Sequence, residues 1–264
     1  MTPIDLRSDT VTRPSPEMRR AMAEAEVGDD ERDGDPTTLR LERRVAELLG
    51  KDRALFFPSG VMANQAAVNL HARPGTEIIL DEDAHIIHWE MAGAAALSGA
   101  QIRPVRPTGL VATADDMRRY VRPAARHVTR ASLVCVENTH NGAGGKVIPL
   151  REMQAIRAFA AEQGVPVHLD GARLWNASVA SGVASLGVAS GWASSPPSAP
   201  ESAARASEST LASRPPSNGA SGPTEVSAPA SSVVATSKVP PEHPASARTH
   251  ALAALLTIAS RRTT

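Results

Sequence analysis

The sequence predicts an open α/β sheet of mostly parallel strands with helices packed against it. Three observations predict it. Short β-branched runs alternate with stretches of helical periodicity between about residues 35 and 180, an order that needs crossover helices and therefore parallel pairing. The strongest of these runs, Ser132–Glu137 and Val165–Leu169, are built largely on apolar residues, as strands covered on both faces are. The runs also stop abruptly on polar residues: Asp81-Glu82-Asp83, Glu137-Asn138 and Asp170. The carboxyl ends of parallel strands are where such sheets bind ligands.

Taken in order, Ser15-Pro16-Glu17 supplies a cap, a first-position proline and a first-turn acid, and predicts a helix to about Ala25. Asp35-Pro36 repeats the signal ahead of a stripe at Leu41, Val45, Leu48 and Leu49, closed by Gly50. Arg53–Phe57 reads as a strand and Pro58-Ser59-Gly60 as a turn. Val61–Ala72 then reads as a helix with a small-residue face. Glu77–Leu80 is a second strand, and a short helix is expected between Ile87 and Ala95. Gln101–Val105 carries Pro104, which confines it to a sheet edge. Thr113 caps a helix to about Val121. After the Ser132–Glu137 strand come an amphipathic helix, Leu150–Gln163, stopped by Gly164, the Val165–Leu169 strand, and a helix from about Ala172 to Ala180.

Composition bounds the function. The 264 residues carry no formal net charge, which gives no electrostatic case for nucleic acid or an anionic membrane. Cys135 is the only cysteine, so no intrachain disulfide forms and a reducing, cytoplasmic setting is expected. The charged start, Met1 to Asp9, has no apolar core of a signal peptide, and no apolar run reaches membrane-spanning length. Composition changes near residue 184. No Asp follows Asp170, no Met follows Met153, and Ser, Ala and Pro dominate thereafter. The expected organisation is an α/β domain over 1–183 and a disordered or out-of-frame tail over 184–264.

The chemistry gathers where strands end. Asp170 closes a buried strand, Gly171 permits close approach, and Arg173 adds a fixed positive fork. Together they suit a ligand with a protonated nitrogen and an anionic oxygen, as pyridoxal phosphate has; a helix cap with an ion pair is the plainer alternative. Ser59-Gly60 opens a helix whose free amides suit a phosphate, or is simply an N-cap. His85 follows the acids at 81–83 and suits stacking or proton transfer, or is a surface residue. Metal binding is weakly supported by the spacing of His and acids.

Five blocks in order carry a resemblance: Asp5-Leu-Arg-Ser-Asp-Thr-Val-Thr-Arg-Pro14, Pro58-Ser-Gly-Val-Met-Ala-Asn-Gln65, Asp83-Ala-His85, Glu137-Asn-Thr-His-Asn141 and His168-Leu-Asp-Gly-Ala-Arg173. The stretch from about residue 4 to 183 resembles the low-specificity L-threonine aldolases, of the aromatic amino acid β-eliminating lyase/threonine aldolase group. The resemblance implies a three-layer α/β/α large domain of the aspartate-aminotransferase type, here incomplete. It also implies pyridoxal phosphate as cofactor, a small amino acid as substrate, and cleavage of threonine or allo-threonine to glycine and acetaldehyde. Asp170 would take the ring nitrogen, His85 the ring face, and Ser59 and Gly60 the phosphate. Arg173 and Ser8 would meet the substrate carboxylate, and His127 matches a family histidine near the substrate hydroxyl. A family-like homo-oligomer is left open, as are β-elimination on another amino acid and a non-catalytic remnant paired with an intact subunit.

The chain departs from the pattern in three places. Val61 stands where the family has Thr, and Arg32 where it has Tyr. The Schiff-base lysine, expected about thirty residues after Asp170, is missing; the chain's lysines are Lys51, Lys146 and Lys238. An impaired or inactive aldolase is expected, and a change of reading frame near residue 184 would explain the loss.

Overall fold

The computed structural model describes residues 4, 5 and 7–184. The tail expected to be disordered and the boundary at 183/184 lie at or outside the end of the described residues. Four strands form one parallel sheet: β1 (Glu77–Asp81), β2 (Gln101–Val105), β3 (Ala131–Glu137) and β4 (Val167–Asp170), in the order β2-β1-β3-β4. β2 is an edge strand, as Pro104 requires, because a residue without an N–H cannot sit between two ladders. Every residue of β1 is buried, as a central strand should be.

The strands' alternation feeds two cores. Ile79, Val105, Val134, Val136 and Leu169 face one layer, built from α2 (Pro36–Leu49), α6 (Ala114–Arg118), α7 (Leu150–Glu162) and Leu174 of α8 (Leu174–Ser181). Ile78, Leu80, Leu133 and Cys135 face the other, built from α3 (Gly60–His71), α4 (His85–His88) and α5 (Gly93–Ser98). The result is the expected three-layer α/β/α arrangement. Each fully buried Leu, Ile, Met or Phe contributes about 1.5–3 kcal/mol, and Leu49, Met153, Ile156 and Phe159 anchor the first layer. Among the described residues no helix is long and apolar enough to cross a membrane.

Helix starts follow the capping signals. Ser15 caps α1 (Pro16–Ala23), Asp35 caps α2, and Thr113 with Asp116 forms a capping box on α6. Three expectations differ. Residues 53–57 form no strand: the Phe56 amide donates to Glu42 Oε1 at 2.8 Å instead of to a ladder. The helix expected over 87–95 is two short helices, broken where Met91 and Ala92 adopt left-handed φ of 54° and 56°. Left-handed backbone costs about 1–2 kcal/mol for each non-glycine residue, so the surroundings must hold it in place. Leu48, placed on the buried stripe of α2, is instead exposed.

Candidate cofactor site at the carboxyl edge

Parallel pairing brings the last residues of three strands to one edge. Asp81, Glu137 and Asp170 lie there, and a small cleft is lined by all three with Ala84, Ile86, Cys135 and Val136. His168 and Asp170 are two residues apart on β4, so both side chains point to the α3 face. There they meet Asn64. His168 Nε2 lies 2.9 Å from Asn64 Oδ1, and Asn64 Nδ2 donates to Asp170 Oδ2 at 2.8 Å. The other hydrogen of that amide reaches Glu90 Oε1, also at 2.8 Å. Asp170 Oδ1 accepts from the Ala172 amide at 3.1 Å.

His85 joins the same group. Its Nδ1 is 3.0 Å from Glu90 Oε1, and ligand atoms of His85, Glu90 and Asp170 all lie within 4.8 Å of one another. Its backbone amide donates to Glu137 Oε2 at 2.8 Å. Burial, reinforced by the neighbouring Asp170 charge, raises the Glu137 carboxyl above its ordinary range against the pull of its two backbone hydrogen bonds. Burial lowers His168 to about 4, so the ring is neutral and donates from Nε2 to Asn64. Burial also raises Cys135 well above the usual thiol range, which leaves it unreactive.

Ser59 and Gly60 stand at the start of α3, where Ser59 Oγ accepts from the Met62 amide at 3.2 Å. Asn64 is on the same helix, five residues past Ser59, or ~7.5 Å along the axis. One helix thus offers free N-terminal amides at one end of the site and the Asp170 partner at the other. Arg173 is engaged differently: Nε and Nη2 form a fork on Asp9 at 2.8 and 3.0 Å, and Nη1 donates to Asn141 Oδ1 at 2.8 Å. The fork on Asp9 lowers the Asp9 carboxyl and raises the guanidinium. Ser8, next to Asp9, is exposed and accepts from Thr10. The Arg173–Asp9 contact therefore brings the N-terminal segment to the site's rim.

His127 is not brought to this group. It is exposed, with a left-handed φ of 68°, three residues before Arg130. The Arg130 carbonyl accepts from the Glu77 amide at the amino end of β1. Three residues span at most ~11 Å, whereas β3 carries the chain ~20 Å onward before Glu137. Within one chain, then, His127 sits at the opposite edge. The lysines among the described residues are also accounted for. Lys51 follows the α2 terminus, half-buried, with its amine lowered by burial. Lys146 is exposed in the turn after β3, its carbonyl accepting from the His140 amide at 2.8 Å.

Sequence reasoning missed Asn64 and Glu90. Asn64 left a faint signal, an amide on the apolar face shared by Ala63, Ala67 and Val68. Glu90, between Trp89 and Met91, gave none.

Two buried carboxylates beside an imidazole could in principle ligate a metal. The Asn64 amide already donates to both, however, which suits a flat ligand presenting one protonated nitrogen better than a bare cation. The buried acid at a strand's carboxyl end, the imidazole beside it and the free helix amides one and a half turns away fit a phosphorylated pyridine. The fold is an α/β domain whose ligand edge, at the carboxyl ends of the strands, is lined by these groups.

The beta-eliminating lyase family model matches residues 5–194, and the chain belongs to that pyridoxal-phosphate-dependent family. It is similar to a probable low-specificity L-threonine aldolase 2 of Arabidopsis thaliana, 43% identical over 186 residues covering 68% of this chain and 52% of the relative. It is also similar to a low specificity L-threonine aldolase of Escherichia coli, 42% identical over 180 residues covering 68% and 53%. Among solved structures, a Leishmania major threonine aldolase superposes with a TM-score of 0.55 at 26% identity, covering 64% of this chain and 50% of that one. The chain spans about half the length of the curated relatives it matches.

Proposed function

We propose that this chain is a threonine-aldolase-type domain that binds pyridoxal phosphate without a covalent anchor and cleaves L-threonine feebly or not at all. The observation that supports it most is the convergence of Asp170, Asn64, Glu90 and His85 on one edge, beside the amino end of α3. In this reading Asp170, steadied by Asn64 and the Ala172 amide, takes the ring nitrogen. Ser59 and the α3 amides take the phosphate, and Val61 contributes no hydroxyl to it. His85 lies against the ring. Arg173 presents its fork to the substrate carboxylate, which must displace the Asp9 carboxylate now held there. Pyridoxal phosphate, when bound, supplies an electron-poor ring that accepts the electron pair left on the substrate α-carbon as the bond to the β-carbon breaks.

The chain's own residues bind, orient and exclude water, but no lysine occurs between Asp170 and Lys238. The covalent anchor and its positioned proton transfer are therefore wanting, and loss of the latter alone slows a reaction by ~10²–10⁴-fold. Buried, unreactive Cys135 accords with a reducing cytoplasm, where we place the chain. The half-length match favours a second reading, a non-catalytic partner of an intact subunit, which co-purification with a full-length homologue would reveal. Acetaldehyde release from L-threonine with added pyridoxal phosphate tests the main reading. The expected rate is at least ~100-fold below that of a full-length aldolase. Family-like turnover with cofactor reduced onto Lys51, Lys146 or Lys238 would refute it.

A further inference from the structure

Glu90 is buried by an unusual stretch of backbone. The chain leaves α4, passes Glu90, turns through Met91 and Ala92 with left-handed φ, and enters α5. The turn leaves Met91 95% exposed and Glu90 2% exposed, the reverse of what burial of apolar and charged groups favours. Gly93 completes it by lying against Gln65, whose side chain a Cβ there would meet at 2.5 Å. The arrangement has a purpose if the acid is needed inside.

Its hydrogen bonds say what for. Glu90 Oε1 accepts from Asn64 Nδ2 at 2.8 Å, and Oε2 from Gln65 Nε2 at 2.6 Å. A carboxylate that already accepts two amide N–H groups is matched to a further donor, and His85 Nδ1 lies 3.0 Å from Oε1. A neutral imidazole donating from Nδ1 keeps its lone pair on Nε2. The His85 side chain is 34% exposed, so that atom belongs to a ring open to the edge of the sheet. A buried acid that fixes the tautomer and tilt of an accessible imidazole is how carboxylates orient histidines that move protons.

We propose that Glu90 is a positioning residue: it holds the His85 ring with Nδ1–H turned inward, leaving Nε2 as the proton-accepting atom. Asn64 extends the device, since one amide nitrogen bridges Glu90 to Asp170 and so ties the ring's orientation to the acid meant for the cofactor nitrogen. Only the use of the oriented ring rests on the functional reading above; the orientation itself does not.

The test is ring ¹⁵N NMR of His85 in the cofactor-free 264-residue chain at neutral pH, with Glu90→Ala and Glu90→Gln beside it. The expected result is a dominant Nδ1–H tautomer in the wild type, lost in Glu90→Ala toward the Nε2–H form that free imidazole side chains favour. Glu90→Gln, which keeps the volume and a carbonyl acceptor, should retain part of it. Should Glu90→Ala unfold, the wild-type and Gln spectra decide. A wild-type ring in the Nε2–H form, or an Nδ1–H ring unchanged in every folded variant, overturns the proposal. Titrating the same samples with pyridoxal phosphate separates the two ideas. Absence of binding with an Nδ1–H ring sinks the cofactor reading and spares Glu90; binding with an Nε2–H ring does the reverse.

Discussion

At the residue scale the site is a chain of hydrogen bonds from His168 through Asn64 to two buried carboxylates, and its sensitivity to acid follows from His168. Burial lowers the folded-state value from 6.5 to about 4. The unfolded chain therefore binds a proton that the folded chain refuses, and stability falls as pH drops from about 6.5 toward about 4. Over the whole window the loss is on the order of 1–3 kcal/mol. His168→Gln, which can still donate to Asn64, should lose less over the same range; urea midpoints at stepped pH measure it. Equal losses in the wild type and His168→Gln across that range would show that the ring is not buried neutral, since His140 and Glu137, both raised, act in the opposite sense in both proteins. The motifs made Asp170, His85 and Ser59 legible because each sits in a short local pattern. Glu90 was not legible and Asn64 only faintly so, because their roles arise from contacts between segments up to 106 positions apart. His127 had a sequence match but no local physical signal, and the structure keeps it at the far edge.

At the element scale, helix starts were readable and irregular backbone was not. Capping residues act on amides two or three positions away, so Ser15, Asp35, Ser59 and Thr113 declare their helices locally. Residues 53–57 have strand composition but no ladder partner, and composition alone does not reveal that. The break at Met91 and Ala92 carries no Pro; packing around Glu90 holds it. Asp35 offers a direct check. It is buried and accepts from the Thr38 amide at 2.7 Å and the Gly28 amide at 3.0 Å. Asp35→Ala should cost about 1–2 kcal/mol of stability in chemical unfolding, and a cost near zero would show that neither bond contributes. Gly142 offers another: a Cβ there would lie 2.5 Å from the Asp83 carbonyl oxygen. Gly142→Ala must push the turn after β3 away from the segment leading to His85. It should weaken pyridoxal phosphate binding measurably while leaving the helical circular dichroism unchanged.

At the scale of the whole molecule, the architecture was legible because strand–helix alternation permits few arrangements, and the order β2-β1-β3-β4 with an edge at Pro104 is one of them. What lies past residue 184 was legible only as a change of composition. The proposed function requires that the carboxyl edge, organised on Asp170, hold pyridoxal phosphate by non-covalent contacts. Absorbance titration of the full chain and of Asp170→Asn with pyridoxal phosphate, followed by borohydride and intact mass, tests it most directly. Expected are saturable binding by the wild type, at least ~10-fold weaker binding by the variant on loss of a charge-assisted bond of about 1.5–3 kcal/mol, and no stoichiometric covalent adduct in either. Equal binding by the two proteins, or a stoichiometric adduct on one lysine, would contradict it.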